Sequence, residues 1–157
     1  MLIFFCGKMG SGKTTLSKKI TQETEGIRLS EDELLSQLYP QQITNLKEYQ
    51  KYSDLIKPVV ENIAQQLLRK NLTVVLDFPA NTPSQRKWLK GISDQEKSSH
   101  LCYLLEVADE VCLNRLLKRA NPLTDTKEMF DSLNKFFIQP KSDEDIVIKK
   151  VEFDNYS

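Results

Sequence analysis

Five apolar residues, Leu2-Ile3-Phe4-Phe5-Cys6, run without a break into Gly7-Lys8-Met9-Gly10-Ser11-Gly12-Lys13-Thr14, and no other stretch constrains the fold as tightly. A short apolar run closed by glycine suits a buried strand, and Leu16 and Ile20 beyond it carry helical spacing. The chain must pass from strand to helix through a tight, glycine-rich turn. Gly7, Gly10 and Gly12 let the backbone approach a ligand closely, so successive amides converge on one anion. A helix beginning near Lys13 adds its unpaired N–H groups and the positive end of its dipole at the same point. The spacing is that of a phosphate loop. Gly7, Lys8, Met9, Gly10, Ser11, Gly12, Lys13, Thr14 and Thr15 are therefore the candidate nucleotide-binding residues. Lys13 is placed to reach the β- and γ-phosphates, and the Thr14 hydroxyl to hold Mg²⁺.

An ordinary strand-to-helix turn would account for the glycines alone. It would not account for a second apolar strand closed by an acid, and Leu72-Thr73-Val74-Val75-Leu76-Asp77 is such a strand. Buried parallel strands read this way, and an aspartate at the tip holds Mg²⁺ through water opposite the loop; the plainer role is a turn residue before Phe78-Pro79. Helix 1 is expected to run to about Glu25 and stop at Gly26, with Ile27-Arg28-Leu29 as a short strand. Ser30-Glu31-Asp32-Glu33 follows. Ser30 and Glu33 match a capping box, whereas Asp32, just past the end of a strand, lies where open α/β sheets bind ligands and can take a proton from an acceptor hydroxyl.

From Asn45 to Lys70 the pattern is helical, with Leu55, Val59, Ile63, Leu67 and Leu68 read as a core stripe. Pro58 either splits or kinks this helix. Thr82-Pro83 opens another helix, in which Arg86 faces either the site or solvent and Trp88 belongs to the core. Leu101 to Val107 is a buried strand preceded by a solvated His100. Asp109 to Arg119 is helical, with Arg115 and Arg119 one turn apart, as a solvated face or as groups that stabilise a transferring phosphoryl. Asn121-Pro122 reads as a lid hinge, Glu128 to Ile138 as the last helix, Pro140 to Asp145 as a turn, and Ile146 to Ile148 with Val151 and Phe153 as the final strand.

With 157 residues, 39% of them apolar and 28% charged, the chain suits one domain without staples. Its 22 basic residues balance 22 acidic ones, so no broad basic field draws in nucleic acid. Cys6, Cys102 and Cys112 are odd in number and lie in apolar runs, which suits buried thiols in a reducing compartment. The opening apolar run is too short for a signal peptide or a membrane span, so the expectation is a cytoplasmic protein with no membrane partner.

Taken together these residues resemble the small phosphate-loop kinases of the polynucleotide-kinase and zeta-toxin type, ATP-dependent kinases with AAA-type ATP binding. The resemblance spans most of the chain and rests on residues 7 to 15, Arg28 to Glu33, Val74 to Asp77, Arg86, the Arg115 and Arg119 pair, and Phe137 with Pro140. It implies an α/β, three-layer phosphate-loop fold with a five-stranded parallel sheet of order 2-3-1-4-5, flanked by helices in a single domain over 1–157 with a short helical lid at about 115–127. It also implies ATP and Mg²⁺, with Lys13 and Thr14 on phosphate and metal, Asp32 as general base, Asp77 on metal or acceptor, Arg86 beside the substrate, and Arg115 and Arg119 as lid arginines.

Relatives that act on phosphate-bearing acceptors place an arginine soon after the base, but Leu29 to Leu46 holds neither lysine nor arginine. The expected acceptor is a small-molecule hydroxyl, with a nucleic-acid acceptor not favoured. A 5′-hydroxyl polynucleotide kinase and an ATP-binding switch without an acceptor are the alternatives. A guanine-binding Asn-Lys-x-Asp motif is missing, since two phenylalanines follow Asn134-Lys135.

Overall fold

The computed structural model describes residues 1–119 and 125–152. β1 (Leu2–Cys6) is buried at every position, and β3 (Val74–Pro79) at four of six, as continuous apolar runs demand when helices cover both faces. β2 (Ile27–Ser30) pairs with β3, β1 lies between β3 and β4 (His100–Leu105), and β5 (Ile148–Val151) completes the sheet. Every pairing is parallel, and the order is β2-β3-β1-β4-β5. This is the order the resemblance implied.

Alternation along the strands sorts the core into two layers. Leu2, Phe4, Leu76 and Phe78 face α2 (Glu31–Leu38), α3 (Leu46–Arg69) and α4 (Pro83–Gln95) through Leu35, Ile56, Val60, Ala64, Leu68, Leu89 and Ile92. Ile3, Phe5, Val75 and Leu105 face α1 (Lys13–Glu23) through Leu16 and Ile20. A third cluster joins α5 (Asp109–Arg119) to α6 (Lys127–Asn134) through Cys112, Leu116 and Phe130. All three cysteines are buried and free.

The register matters for the site. β1 and β3 pair evenly from Leu2 and Val74 to Phe4 and Leu76, then slip, so that Phe5 meets Pro79 and Asp77 is matched only by Ser30 of β2. Asp77 thus stands at the carboxyl edge of the sheet without a β1 neighbour.

Several expectations are corrected by tertiary contacts. The buried line of α3 is Ser53, Ile56, Val60, Ala64 and Leu68, while Leu55, Val59 and Ile63 are 54%, 59% and 40% exposed. Both stripes have helical spacing; the small Ser53 and Ala64 let the backbone approach the sheet on the chosen side. α3 runs through Pro58 as one helix, with Pro58 and Asp54 both exposed, where water can meet the carbonyl that proline leaves unbonded. α1 ends at Glu23 rather than about Glu25, closed by Glu25 at φ 49° and by the Gly26 amide bonded to Thr21 O at 3.0 Å. α6 stops at Asn134, short of Ile138, because the Ile138 amide donates to Asn81 O at 2.8 Å and its carbonyl accepts from Arg86. His100 is no bystander: its Nε2 accepts the Val147 amide at 3.1 Å. Residues 120–124 of the expected lid, its Asn121-Pro122 hinge, and Phe153 lie outside the described residues.

Arg86 faces neither site nor solvent. Its side chain is fully buried, with Nε and Nη2 on the Glu144 carboxylate and Nη1 on Ala80 O at 3.0 Å and Ile138 O at 2.8 Å. It clamps the segment after α6 onto α4 and the end of β3, which removes it from the substrate contacts the sequence suggested. Arg86→Met takes the guanidinium from Glu144 and from two carbonyls, and we expect a loss of roughly 3 kcal/mol, at the low end for a buried pair because Glu144 keeps the Lys141 amide and some water contact. Urea unfolding of the variant measures this; an unchanged midpoint would contradict the clamp.

Candidate active site

β1 delivers the chain to Gly7, and α1 starts at Lys13. Gly10 and Gly12 take φ of 74° and 100°, and a Cβ on Gly10 would lie 2.4 Å from Cys112 O, so the loop packs directly on α5. Met9 joins the α5–α6 cluster from the loop side. Arg115 Nη1 lies 3.4 Å from both Gly10 O and Ser11 O, and Asn81 Oδ1 accepts the Gly7 amide at 3.0 Å. Lys8 pairs with Asp109 at 2.6 Å above the Phe137 ring.

The Lys13 ammonium folds back over its own loop and donates to Gly7 O and to Lys8 O. Burial lowers its pKa to about 8, against the pull of neighbouring acids that include Asp77 and Asp32. The Ser11 hydroxyl is buried in the loop with no partner among the described residues. An orphaned donor, positive-φ glycines and a lysine at a helix start fit a polyphosphate. Thr14 is exposed, and its hydroxyl has no partner among the described residues. With the Asp77 carboxylate it offers hard oxygen donors of the kind Mg²⁺ takes beside phosphate oxygens.

Ser30 caps α2 by accepting the Glu33 amide, whereas the Glu33 side chain pairs with Arg28 at 2.8 Å, so only half of the expected capping box forms. Asp32 takes no part in the cap and has no hydrogen-bond partner among the described residues. Although exposed at the mouth of the crevice, its carboxyl is raised in pKa, first by the surrounding protein and then by the charge of Asp77, against Arg119 and Lys13. Arg119 itself grips the buried Asp125 through two bonds of 2.7 and 2.6 Å. The helical pair therefore diverges, Arg115 to the loop and Arg119 to Asp125. Lys13 feels the charges of both Asp32 and Asp77; Thr15 is exposed at the start of α1.

The sequence reading missed two groups beside this crevice. Arg28 binds Asp77 at 2.6 Å; a lone arginine inside a short apolar strand was a signal that a buried acid awaited it. Glu31 is buried, accepts from Ser53 Oγ at 2.6 Å and from the Tyr49 hydroxyl, and lines a small cavity with Lys57, Gln85 and Trp88. Its partners come from α3, so nothing local to Glu31 announced them. Trp88 is half-buried there, its Nε1 on Glu61 at 3.0 Å.

Burial raises the Glu31 carboxyl from 4.5 to about 7, against the Ser53 hydrogen bond. Between those values the folded chain keeps a proton that the unfolded chain has released, so stability falls as pH rises across the interval. Glu31→Gln has no proton to lose. Unfolding curves taken stepwise over that range should show wild type losing ground to the variant and then levelling off; a constant difference would reject the shift.

A family model described as an AAA domain matches residues 2–137. An adenylate kinase of Prochlorococcus marinus (strain AS9601) is 28% identical over 133 residues, covering 80% of this chain and 72% of that protein. Chaetomium thermophilum Kti12, solved in complex with ADP-AlF3, superposes with a TM-score of 0.73 at 16% identity, over 98% of this chain and 90% of the other. A gluconokinase from Sinorhizobium meliloti 1021 gives 0.62 at 17% identity, over 95% and 81%. The two structures establish the likeness of fold. With its glycine loop, parallel sheet and matched span, the chain belongs to the AAA domain family and has a phosphate-loop fold of the kinase type.

Proposed function

We propose that the chain is an ATP-dependent kinase that transfers the γ-phosphoryl group to a hydroxyl of a small-molecule acceptor. The observation that carries this reading is Asp32: without a hydrogen-bond partner among the described residues, raised in pKa, and near enough to Lys13 and Asp77 to feel both charges. A carboxylate so placed takes the proton of the acceptor hydroxyl as its oxygen bonds to the γ-phosphorus and the bond to the ADP oxygen breaks. The loop amides and Lys13 bind the polyphosphate, with Lys13 exchanging the carbonyls of Gly7 and Lys8 for phosphate oxygens. Mg²⁺, held by Thr14 and through water by Asp77, would neutralise charge on the β- and γ-oxygens. Arg115, beside the carbonyls of Gly10 and Ser11, supplies cationic charge on the loop side, and Arg119, paired with Asp125, supplies charge that acts on Asp32.

The acceptor is assigned to the side of Glu31, Tyr49, Ser53 and Gln85, where carboxyl, hydroxyl and amide groups suit hydroxyls. The lack of a lysine or arginine in Leu29 to Leu46, and the zero net charge, weigh against an acceptor bearing phosphate. A gluconokinase and a Janibacter sugar kinase among the structures of like fold are consistent with a small polyol-like acceptor. No helix of the described residues is long and apolar enough to cross a membrane.

The test is transfer from γ-labelled ATP with Mg²⁺ into a metabolite extract and an RNA fraction. Asp32→Asn should lower turnover by about 10²- to 10⁴-fold and bind ATP as wild type does, whereas Lys13→Ala should lose ATP binding. Full turnover in Asp32→Asn removes the base assignment; label in RNA alone establishes the polynucleotide reading; ATP binding without any labelled product leaves the switch reading.

A further inference from the structure

Asp77 is held by one oxygen only. Arg28 Nη2 donates to its Oδ2 at 2.6 Å, and Ser17 Oγ lies 3.1 Å from the same atom. Oδ1 has no hydrogen-bond partner among the described residues. The arginine is fixed in turn, with Nε on Ser17 Oγ at 2.8 Å and Nη1 on Glu33 at 2.8 Å, and both it and Asp77 are nearly buried. Ser17 also donates to Thr14 O at 2.8 Å, one turn back in α1. One guanidinium therefore ties the tips of β2 and β3 to α2 and to the helix that carries Lys13 and Thr14.

We propose that Arg28 is a positioning residue: by fixing Oδ2 of Asp77 it keeps Oδ1 turned to the crevice, where Mg²⁺ and the γ-phosphoryl group are bound. The charge of Asp77 acts on both Lys13 and Asp32, and Oδ1 is the oxygen that Arg28 and Ser17 leave uncommitted. A fork suits this arrangement because acceptors on three elements are met from Nε, Nη1 and Nη2 of one planar group, whereas the three donors of an ammonium share a single nitrogen. Released from Arg28, Asp77 would turn freely beside Ser17, and its second oxygen would lose its direction.

This inference rests on the kinase reading, and its test reads metal-linked binding instead of turnover. A fluorescent N-methylanthraniloyl ATP analogue is titrated into wild type, Arg28→Met, Arg28→Lys, Asp77→Asn and the Arg28→Met/Asp77→Asn double variant, each with Mg²⁺ and with EDTA. Binding in EDTA gives each protein its own metal-free reference, and the Mg²⁺ gain is the ratio of its two affinities. With Mg²⁺ the gain in affinity should fall by about tenfold in Arg28→Met and in Asp77→Asn, the scale of loss for a group that orients a ligand of a metal. The double variant should lose no more than either single one, because both act through the same oxygen. Arg28→Lys, which keeps the charge and forfeits the fork, should lose the greater part of the gain and carries the test if Arg28→Met does not fold. A full Mg²⁺ gain in folded Arg28→Met or in Arg28→Lys, or losses that add in the double variant, would overturn the role of Arg28. Wild type without any Mg²⁺ gain would overturn the metal reading itself, a separate failure.

Discussion

The site depends on the parallel pairing of β1 between β3 and β4. Because β1 is buried on both faces, its residues have no freedom to shift without exposing Phe4 or Phe5, and the glycine loop at its end is fixed in space. β3 is locked to it through Phe4 and Leu76, and the slip in register just beyond them brings Phe5 opposite Pro79 and leaves Asp77 without a β1 partner. At this edge the loop leaves one strand and Asp77 stands on the other. The crevice at the carboxyl edge thus follows from strand pairing, as topology predicts for open α/β sheets.

The protein spends most of its arginines on its own carboxylates and carbonyls. Arg28 holds Asp77 and Glu33, Arg86 holds Glu144 and two carbonyls, and Arg119 holds Asp125. Each is a case in which a charge taken from water needs a partner of near-ideal geometry, and the planar guanidinium supplies it. Near the loop stand Asp32, without a hydrogen-bond partner among the described residues, and Asp77, held through Oδ2 alone, beside the folded-back Lys13 and Arg115. Such a balance suits an incoming polyphosphate with its metal ion, whose charges would complement both.

Much of the frame was legible in the residues themselves. The strand-loop-helix opening, Ser30 as a cap, Asn45 and Thr82 at helix starts, and Asp109 to Arg119 as a helix all appear where local chemistry put them, whereas the strand expected over Leu72 to Asp77 starts at Val74 and runs on through Asp77 to Pro79. Errors gathered where two local solutions were equally good. The stripe Leu55-Val59-Ile63 is as helical as Ile56-Val60-Ala64, and only the sheet beneath α3 selects the second. Phe136 to Ile138 continue a helical pattern, yet bonds from Asn81 and Arg86 draw the chain out of it.

Within the site the same division holds. The sequence by itself determined the phosphate loop, because glycine conformation, amide convergence and a helix start are properties of neighbouring residues. It also determined that an aspartate would stand at the tip of β2's helix and another at the tip of β3, since both follow from strand ends. Only the tertiary structure decided which charges are committed: Arg28 meets Asp77 across 49 positions, Arg86 meets Glu144 across 58, and Glu31 meets Ser53 across 22. No local pattern encodes those meetings. They arise when packing brings distant elements together and burial obliges each charged or polar group to find a partner there.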